Sequence, residues 1–245
     1  MGGTFDDPPS HIVSSRSPPM KTTVRDFDID QFAVTAPQVA LFLNSHGNDC
    51  PGLHIKMARP ETRCISYSER DGLREHDGKV EVIAGHETRI IENFSAEGAM
   101  RYCAWVGKHL VTSAQWEYAA RHDPATGRDF VYSWGDAWKA NRACTKDGSC
   151  AREWKRYKRI NIAGLFDGTR GRGDSSSPFG VHDTIDTASE FVVACDDPNT
   201  TCKAGIPCSC HVMTSATGQF DPALVTTFAR FGFNPSGAVR CVVPR

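Results

Sequence analysis

The sequence lacks the features that place a chain in or on a membrane. No apolar run approaches the ~20 residues that a membrane-spanning helix needs, and the N-terminal stretch MGGTFDDPPSHIVSSRSPP has no apolar signal core. It also lacks an excess of either charge, since 28 Lys and Arg residues balance 29 Asp and Glu residues. We therefore expect no membrane span and no general binding to nucleic acid or anionic surfaces. On this evidence the protein is cytosolic, or a leader is missing from this chain.

Common catalytic signatures are absent as well. The sequence contains no phosphate-binding loop, no HExxH motif and no arrangement of Ser, His and Asp that is typical of a hydrolase. It also has no internal repeat. A hydrolase or kinase function therefore has no support, whereas a hydrophobic content of 40% is enough for a folded core.

Cysteine, by contrast, is abundant and clustered. Four of the ten cysteines lie in the stretch CDDPNTTCKAGIPCSC, and two further pairs are close in sequence, Cys50 with Cys64 and Cys144 with Cys150. An even number with local clustering indicates disulfides and an oxidising compartment. Zinc sites usually show CxxC-type spacing, which this cluster lacks, but a metal cluster and free buried thiols stay open as alternatives.

Three helices are predicted from their capping signals. The tetrapeptide TAPQ at residues 35–38 is a capping box with Pro in the first turn, and it opens a helix that Gly47 ends. Ser95 is an N-cap for a second helix. Thr112 begins another TxxQ box and opens a third helix, Ser113–Arg121.

Strand signals are weaker, and much of the chain has none. We predict a strand near Val24–Phe32, a short strand in KVEVIAG, and closing strands in LVTTFARFGF and AVRCVV. Residues 1–20 are predicted to be an irregular lead-in. Residues 123–220 show so little regular pattern that a compact fold there needs support from bridges, bound ions or an established framework.

Six motifs resemble one family in their order along the chain. The stretches MGGTF, FAVTAPQVALFLN, YCAWVGKHLVTSAQWEYAAR, YSWGD, SSPFGVHD and VRCV match the formylglycine-generating enzymes, or sulfatase-modifying factors, with EF standing where the family has the end of GNVxEW. The resemblance implies an α+β fold, a variant of the C-type-lectin-like fold with little regular secondary structure. It also implies a single domain over residues 1–245. The aromatic residues Trp105, Trp116, Tyr118 and Trp134 stand at the family's core packing positions.

The copper-binding cysteine pair of this family is not found at the matching positions of the sequence. Family enzymes oxidise a cysteine of a sulfatase peptide with O₂, using Cu(I) held by two thiolates five residues apart, and thiolates suit this soft ion. The matching stretch SATGQFDPALVTTFARFGFNPSGAVRC has no cysteine before its last residue. Cys208 and Cys210 have the wrong spacing for such a pair. We therefore assign no catalytic residue, do not expect copper, and predict a non-catalytic binding or scaffold domain. The alternative is a formylglycine-generating or related O₂-dependent oxidase with a relocated active site.

The resemblance also implies calcium and one disulfide. Asn141 and Asp167 match ligands of a first calcium site, and Glu190 matches a ligand of a second, where Thr187 replaces the family's Asn; calcium suits such loops because it takes oxygen ligands. Cys103 and Cys241 stand at the positions that form a disulfide in the family, although two separate buried thiols remain the alternative.

The remaining expectations concern location, partners and two short motifs. Cysteine usage favours an extracytoplasmic, periplasmic or secreted protein. We expect a monomer that binds a ligand or a peptide or protein partner. The tetrapeptide GRGD at residues 171–174 and the basic run REWKRYKR are both interpreted as solvated surface.

Overall fold

The structure is a computed structural model that describes residues 1–7, 20–50, 63–143, 161–169, 171–185, 188–194, 211–215, 230–231 and 236–245. The helices are α1 (Ala36–His46), α2 (Ala96–Trp105) and α3 (Ser113–Arg121). The strands are β1 (Gly3–Asp7), β2 (Met20–Val24), β3 (Phe27–Ile29), β4 (Leu73–His76), β5 (Lys79–Val82), β6 (His109–Leu110), β7 (His122–Asp123), β8 (Arg128–Asp129), β9 (Phe191–Ala194), β10 (His211–Ser215), β11 (Arg230–Phe231) and β12 (Cys241–Pro244). In the part of the chain described, no helix has the length and apolarity needed to cross a bilayer.

The three helices begin at the residues that their capping signals predict. The amide of Thr35 donates to Gln38 Oε1 at 2.8 Å at the start of α1, and α1 ends at Gly47, whose φ of 80° favours glycine. Ser95 Oγ caps α2 and Thr112 Oγ1 caps α3 by accepting backbone N–H bonds. Local hydrogen bonding therefore fixes where each helix starts.

Glycine at position 98 allows α2 to lie directly against Cys64. A Cβ added at Gly98 would lie only 2.0 Å from the carbonyl oxygen of Cys64. The same oxygen accepts the backbone N–H of Ser95 at 2.8 Å. The first turn of α2 is thereby held against the backbone that carries one of the disulfides.

The sheets are small and antiparallel, and the last strand is central to one of them. Strand β12 lies between β3 and β6, while β10 lies between β11 and β9. Three two-stranded hairpins complete the set, β1 with β2, β4 with β5 and β7 with β8. The first two residues of β12, Cys241 and Val242, are therefore buried in the fold, whereas residues 243–245 are exposed.

Two large apolar clusters flank strand β12. One lies beneath α1 and α2 and includes Phe42, Phe94, Cys103 and Cys241. The other packs β1, β2 and β3 against α3. Since Cys241 belongs to the first cluster and the next residue, Val242, to the second, alternate faces of one strand join the two.

The structure corrects two predictions about the amino-terminal region. The lead-in at residues 1–20 is not wholly irregular, because β1 pairs with β2 along five residues and buries Phe5. The strand predicted near Val24–Phe32 is divided, since β2 ends at Val24 and β3 begins at Phe27. Its two parts join different sheets, and a single-sequence pattern does not specify the pairing partner.

One predicted core aromatic is not in the core. Trp116 and Tyr118 are buried and Trp134 is half-buried, but Trp105 is 40% exposed. Trp105 is the last residue of α2 and contacts Phe42 only edge-on, with ring centroids 5.5 Å apart. Its position at the helix end leaves part of the side chain exposed to solvent.

The other strand predictions have mixed outcomes. KVEVIAG contains β5, and AVRCVV contributes most of β12. Strand β4, which pairs with β5 through a turn at Asp77 and Gly78, was not predicted. Most of LVTTFARFGF lies outside the described residues, which include only its Arg230–Phe231 as β11.

Candidate functional site

A buried guanidinium lies where β3, β9 and β12 meet. Arg240 precedes β12 and has no exposed surface. Its Nη1 donates to the carbonyl oxygens of Asp30 at 2.8 Å and Gln31 at 2.7 Å. Its Nη2 donates to the carbonyl oxygen of His182 at 2.9 Å and to Glu190 Oε1 at 2.7 Å, and its Nε donates to Glu190 Oε2 at 3.1 Å. One side chain thus joins three distant segments of the chain.

Glu190, the predicted ligand of the second calcium site, is wholly engaged in this cluster. It is 1% exposed, and its Oε2 also accepts the indole N–H of Trp116 at 2.7 Å. Burial acts to lower the pKa of Arg240, but the charge and hydrogen bonds of Glu190 outweigh it, so that this pKa is raised. The structure therefore gives Glu190 a protein cation as its partner.

Asp183 is a second buried acidic group in the same region. It is 2% exposed, and its backbone φ of 59° lies in the left-handed region, which Asp adopts more readily than most residues. Burial raises its pKa to about 6, although the backbone N–H of Gly164, which donates to Asp183 Oδ2 at 2.7 Å, acts in the opposite direction.

His182 precedes this carboxyl group and stacks on Phe32, with ring centroids 5.0 Å apart. Burial lowers the pKa of His182, while the negative charges of Asp174 and Asp167 oppose that shift. The imidazole is therefore a weaker base than an exposed histidine.

The structure brings Asn141 and Asp167, the ligands predicted for the first calcium site, to the same short segment. The carbonyl oxygen of Asn141 accepts the backbone N–H of Gly173 at 2.9 Å. Asp167 forms a β-bridge with Asp174, and its Oδ1 accepts the backbone N–H of Thr169 at 2.9 Å. Both predicted ligands therefore adjoin residues 173–174.

Asp174 adds a third oxygen-bearing side chain, which the sequence analysis did not single out as a ligand. Burial raises its pKa, but hydrogen bonds from Ser176 and the charges of His182 and Arg142 lead to a net lowering. In the described parts of the chain, no group of three or more His, Cys, Asp or Glu side chains could hold a metal ion. A calcium ion here would therefore need amide and backbone oxygens as well.

The four described cysteines form two disulfides. Cys50 joins Cys64, and Cys103 joins Cys241, the pair that the resemblance implies. All four sulfur-bearing residues are fully buried. Cys208 and Cys210, together with Cys144, Cys150, Cys195 and Cys202, lie outside the described residues.

The GRGD segment packs back onto the protein. The guanidinium of Arg172 lies over the ring of Phe166, with its Cζ 5.1 Å from the ring centroid. The basic run REWKRYKR lies entirely outside the described residues, so its predicted exposure to solvent stays a prediction.

In the residues that the structure describes, small antiparallel sheets, three short helices and irregular stretches define the class of the protein, a variant C-type-lectin-like domain. The family of the sulfatase-modifying factor enzyme 1-like domain matches residues 1–240. The chain belongs to this family, and the predicted fold and family are both confirmed.

Curated relatives carry the names of two kinds of enzyme. The formylglycine-generating enzyme of Streptomyces coelicolor is 27% identical over 164 residues, which cover 58% of this chain and 51% of that protein. The hercynine oxygenase of Mycolicibacterium thermoresistibile is 46% identical over 68 residues, which cover 27% of this chain and 15% of that protein. The chain therefore spans about half or less of the length of these relatives.

Among solved structures, Treponema denticola variable protein 1 matches 99% of this chain and 93% of its own, with a TM-score of 0.49 and 13% identity.

Proposed function

We propose that this chain is a non-catalytic binding or scaffold domain that keeps the family framework without its copper site. One observation carries the proposal. Cys241 is the only cysteine after Cys210, and its sulfur is bonded to Cys103. A disulfide sulfur is not the thiolate that Cu(I) requires, so the carboxyl-terminal region offers no pair of thiolates at the family spacing.

Copper titration tests this proposal. The intact protein is titrated with Cu(I) against a competing chelator under conditions that preserve its disulfides, with a Cys208→Ser/Cys210→Ser variant as the matched control. We expect weak binding that is the same in both proteins. Tight one-to-one binding that the double variant loses would contradict the proposal.

The second candidate function is a formylglycine-generating or related O₂-dependent oxidase with a relocated site. The enzyme names of the curated relatives favour it, and Cys208 with Cys210 would be its nearest thiols in sequence. Copper-dependent O₂ consumption with a CxPxR peptide distinguishes the two functions. The scaffold proposal predicts no consumption above that of copper alone.

For the first calcium site, we propose that Asn141 and Asp167 contribute ligands. The donor set fits a hard cation, since amide, carboxylate and carbonyl oxygens adjoin the segment at residues 173–174. Calcium would then stabilise this surface loop rather than take part in chemistry. The expected result is a Tm that calcium raises in the native chain and leaves unchanged in Asp167→Asn.

We further propose an extracytoplasmic location. Two buried disulfides suit an oxidising compartment. Protein isolated from its source and unfolded in denaturant with an alkylating agent present should keep Cys50, Cys64, Cys103 and Cys241 unmodified until it is reduced. Alkylation of these four residues before reduction would place the protein in a reducing compartment.

A further inference from the structure

Aspartate is followed by glycine at four places in the chain, and the structure describes three of them, at residues 71–72, 77–78 and 167–168. The fourth, at residues 147–148, lies outside the described residues. This dipeptide can rearrange chemically, because glycine has no Cβ to shield its amide nitrogen from the carboxyl group before it. The three described pairs differ in how tightly the structure holds the two reacting groups.

The pair at residues 77–78 is held least. Asp77 and Gly78 form the two-residue turn between β4 and β5, where His76 pairs with Lys79, and both turn residues have the positive φ that a type I′ turn requires. The Asp77 side chain is 90% exposed, and its ion-pair contact is His76, whose Nδ1 lies 3.8 Å from Oδ2. A Cβ added at Gly78 would meet no atom within 4 Å. Both reacting residues therefore have free space around them.

The pair at residues 71–72 is held by hydrogen bonds and packing. Asp71 Oδ2 accepts the backbone N–H of Ser68 at 3.0 Å and its hydroxyl at 2.8 Å. The amide of Gly72, which would have to attack the carboxyl group, donates to the carbonyl oxygen of Glu69 at 3.1 Å. A Cβ added at Gly72 would lie only 2.4 Å from the Cβ of His86, so the backbone here has little room to move.

The pair at residues 167–168 is held in a similar way. Asp167 Oδ1 accepts both the backbone N–H and the hydroxyl of Thr169, and Asp167 forms a β-bridge with Asp174. A Cβ added at Gly168 would lie 3.4 Å from the Cβ of Asp174. In both of the held pairs, hydrogen bonds to the carboxylate must break before its carbon can be attacked.

We propose that Asp77 is a site of spontaneous isoaspartate formation in the folded protein. The amide nitrogen of Gly78 bonds to Cγ of Asp77, and one carboxyl oxygen leaves as water with the amide proton and the carboxyl proton, which gives a succinimide ring. Water then adds at the main-chain carbonyl carbon of Asp77, the bond from that carbon to nitrogen breaks, and the chain continues through Cγ. The mass is unchanged, and no oxidant or reductant takes part. The imidazole of His76 is placed to pass a proton to the departing oxygen.

The rearrangement lengthens the turn by one backbone carbon, so His76 and Lys79 no longer flank a two-residue turn. Strand β5 is the strand that Asn44 of α1 holds, since Asn44 Nδ2 donates to the carbonyl oxygen of Val80 at 2.8 Å and Oδ1 accepts its N–H at 2.8 Å. The modified hairpin is therefore expected to loosen from α1. The inference concerns the backbone alone, so it stands independently of the proposed scaffold function.

Isotope labelling of the intact folded chain tests the proposal. The protein is incubated at neutral pH in water enriched in the heavy oxygen isotope, because each hydrolysis of a succinimide adds one oxygen from water, and it is then digested with trypsin in ordinary water. Cleavage after Lys and Arg places the three aspartates in separate peptides, residues 71–74, 75–79 and 160–170. We expect label in the 75–79 peptide to accumulate at least about tenfold faster than in the other two, since their hydrogen bonds must break first.

Two controls separate the effect of the fold from that of the sequence. The same chain unfolded in urea should label the three peptides at similar rates, because the protecting contacts are gone. Asp77→Glu should remove the label from its own peptide and leave the other two unchanged, since glutamate would need a less favourable six-membered ring.

Two results would overturn the proposal. One is a folded chain in which the peptide containing Asp71 or Asp167 labels as fast as the peptide containing Asp77. The other is a folded chain in which the Asp77 peptide stays unlabelled while the unfolded chain labels it.

Discussion

Asp183 shows at the scale of one residue how burial changes an acid. Its carboxyl group is inaccessible to water, its backbone is in the left-handed region, and its pKa of about 6 lies above the ordinary 3.8. A raised pKa means that the folded state binds the proton more tightly than the unfolded state does. The stability linked to this proton is therefore fully present below pH 3.8 and is lost as the pH rises through about 6.

Asp183→Asn is predicted to stabilise the protein at neutral pH. The amide is uncharged at every pH, so the variant avoids an ionisation that costs the native chain about 3 kcal/mol for a shift of about two pH units. Urea unfolding in EDTA should give a larger free energy of unfolding for the variant at pH 8. The difference should shrink to nothing near pH 4.

Asp174→Asn is the matched control, because its shift has the opposite sign. The pKa of Asp174 is lowered in the folded state, so this carboxylate stabilises the fold above its unfolded pKa and stops doing so as the pH falls through the folded value. Its replacement should destabilise the protein at neutral pH. A variant of Asp183 that also loses stability at pH 8 would show that burial does not control its titration.

At the scale of elements, both ends of α2 lie beside a disulfide, although only one of the two disulfides includes a residue of the helix. Cys64, bonded to Cys50, accepts the backbone N–H of Ser95 at the start of α2. Cys103 lies within α2 and is bonded to Cys241 at the start of β12. The helix is therefore held at its start by a hydrogen bond to the backbone of one disulfide, and near its end by a covalent bond to the central strand.

The longer disulfide loop should contribute more to stability. The sequence separations are 138 residues for Cys103–Cys241 and 14 for Cys50–Cys64. Loop-closure entropy then gives about 5 and about 3 kcal/mol, respectively. Urea unfolding of Cys103→Ala/Cys241→Ala and of Cys50→Ala/Cys64→Ala compares two fully buried pairs, and the first should lose about 2 kcal/mol more. Equal losses, or a reversed order, would contradict the entropic explanation.

Helices were predictable from local sequence, and strands were much less so. Each helix begins where hydrogen bonds between near neighbours cap it. The Gln38 side chain accepts the amide of Thr35 at α1, and Ser95 and Thr112 accept backbone N–H groups at α2 and α3. Strand β12 depends instead on β3 and β6, which are distant in sequence. The period-2 pattern indicates a strand, but it does not say which partner a strand joins.

At the scale of the whole molecule, the two ends of the chain share one core. The cluster with α3 includes Phe5 near the amino end and Val242 near the carboxyl end. The other cluster extends from Val34 to Cys241. Within the described residues, segments that are distant in sequence therefore supply the apolar surface of the core together.

The candidate site was predictable only in part. The matching motifs drew attention to Asn141, Asp167 and Glu190, and the calcium role of these residues stays a prediction. They did not reveal that Arg240 would bond to Glu190, or that Asp183 would be buried. Fifty positions separate Arg240 from Glu190, so no local pattern records their contact.

The sequence by itself determined the family, the starts of the three helices, and the absence of a cysteine between Cys210 and Cys241. These are properties of residue order and of hydrogen bonds between near neighbours. Only the tertiary structure decided that Glu190 faces a guanidinium, that Asp183 lies away from water, and that Trp105 reaches the surface. Charge pairing and burial depend on which remote segments meet, and that is settled by packing of the whole chain.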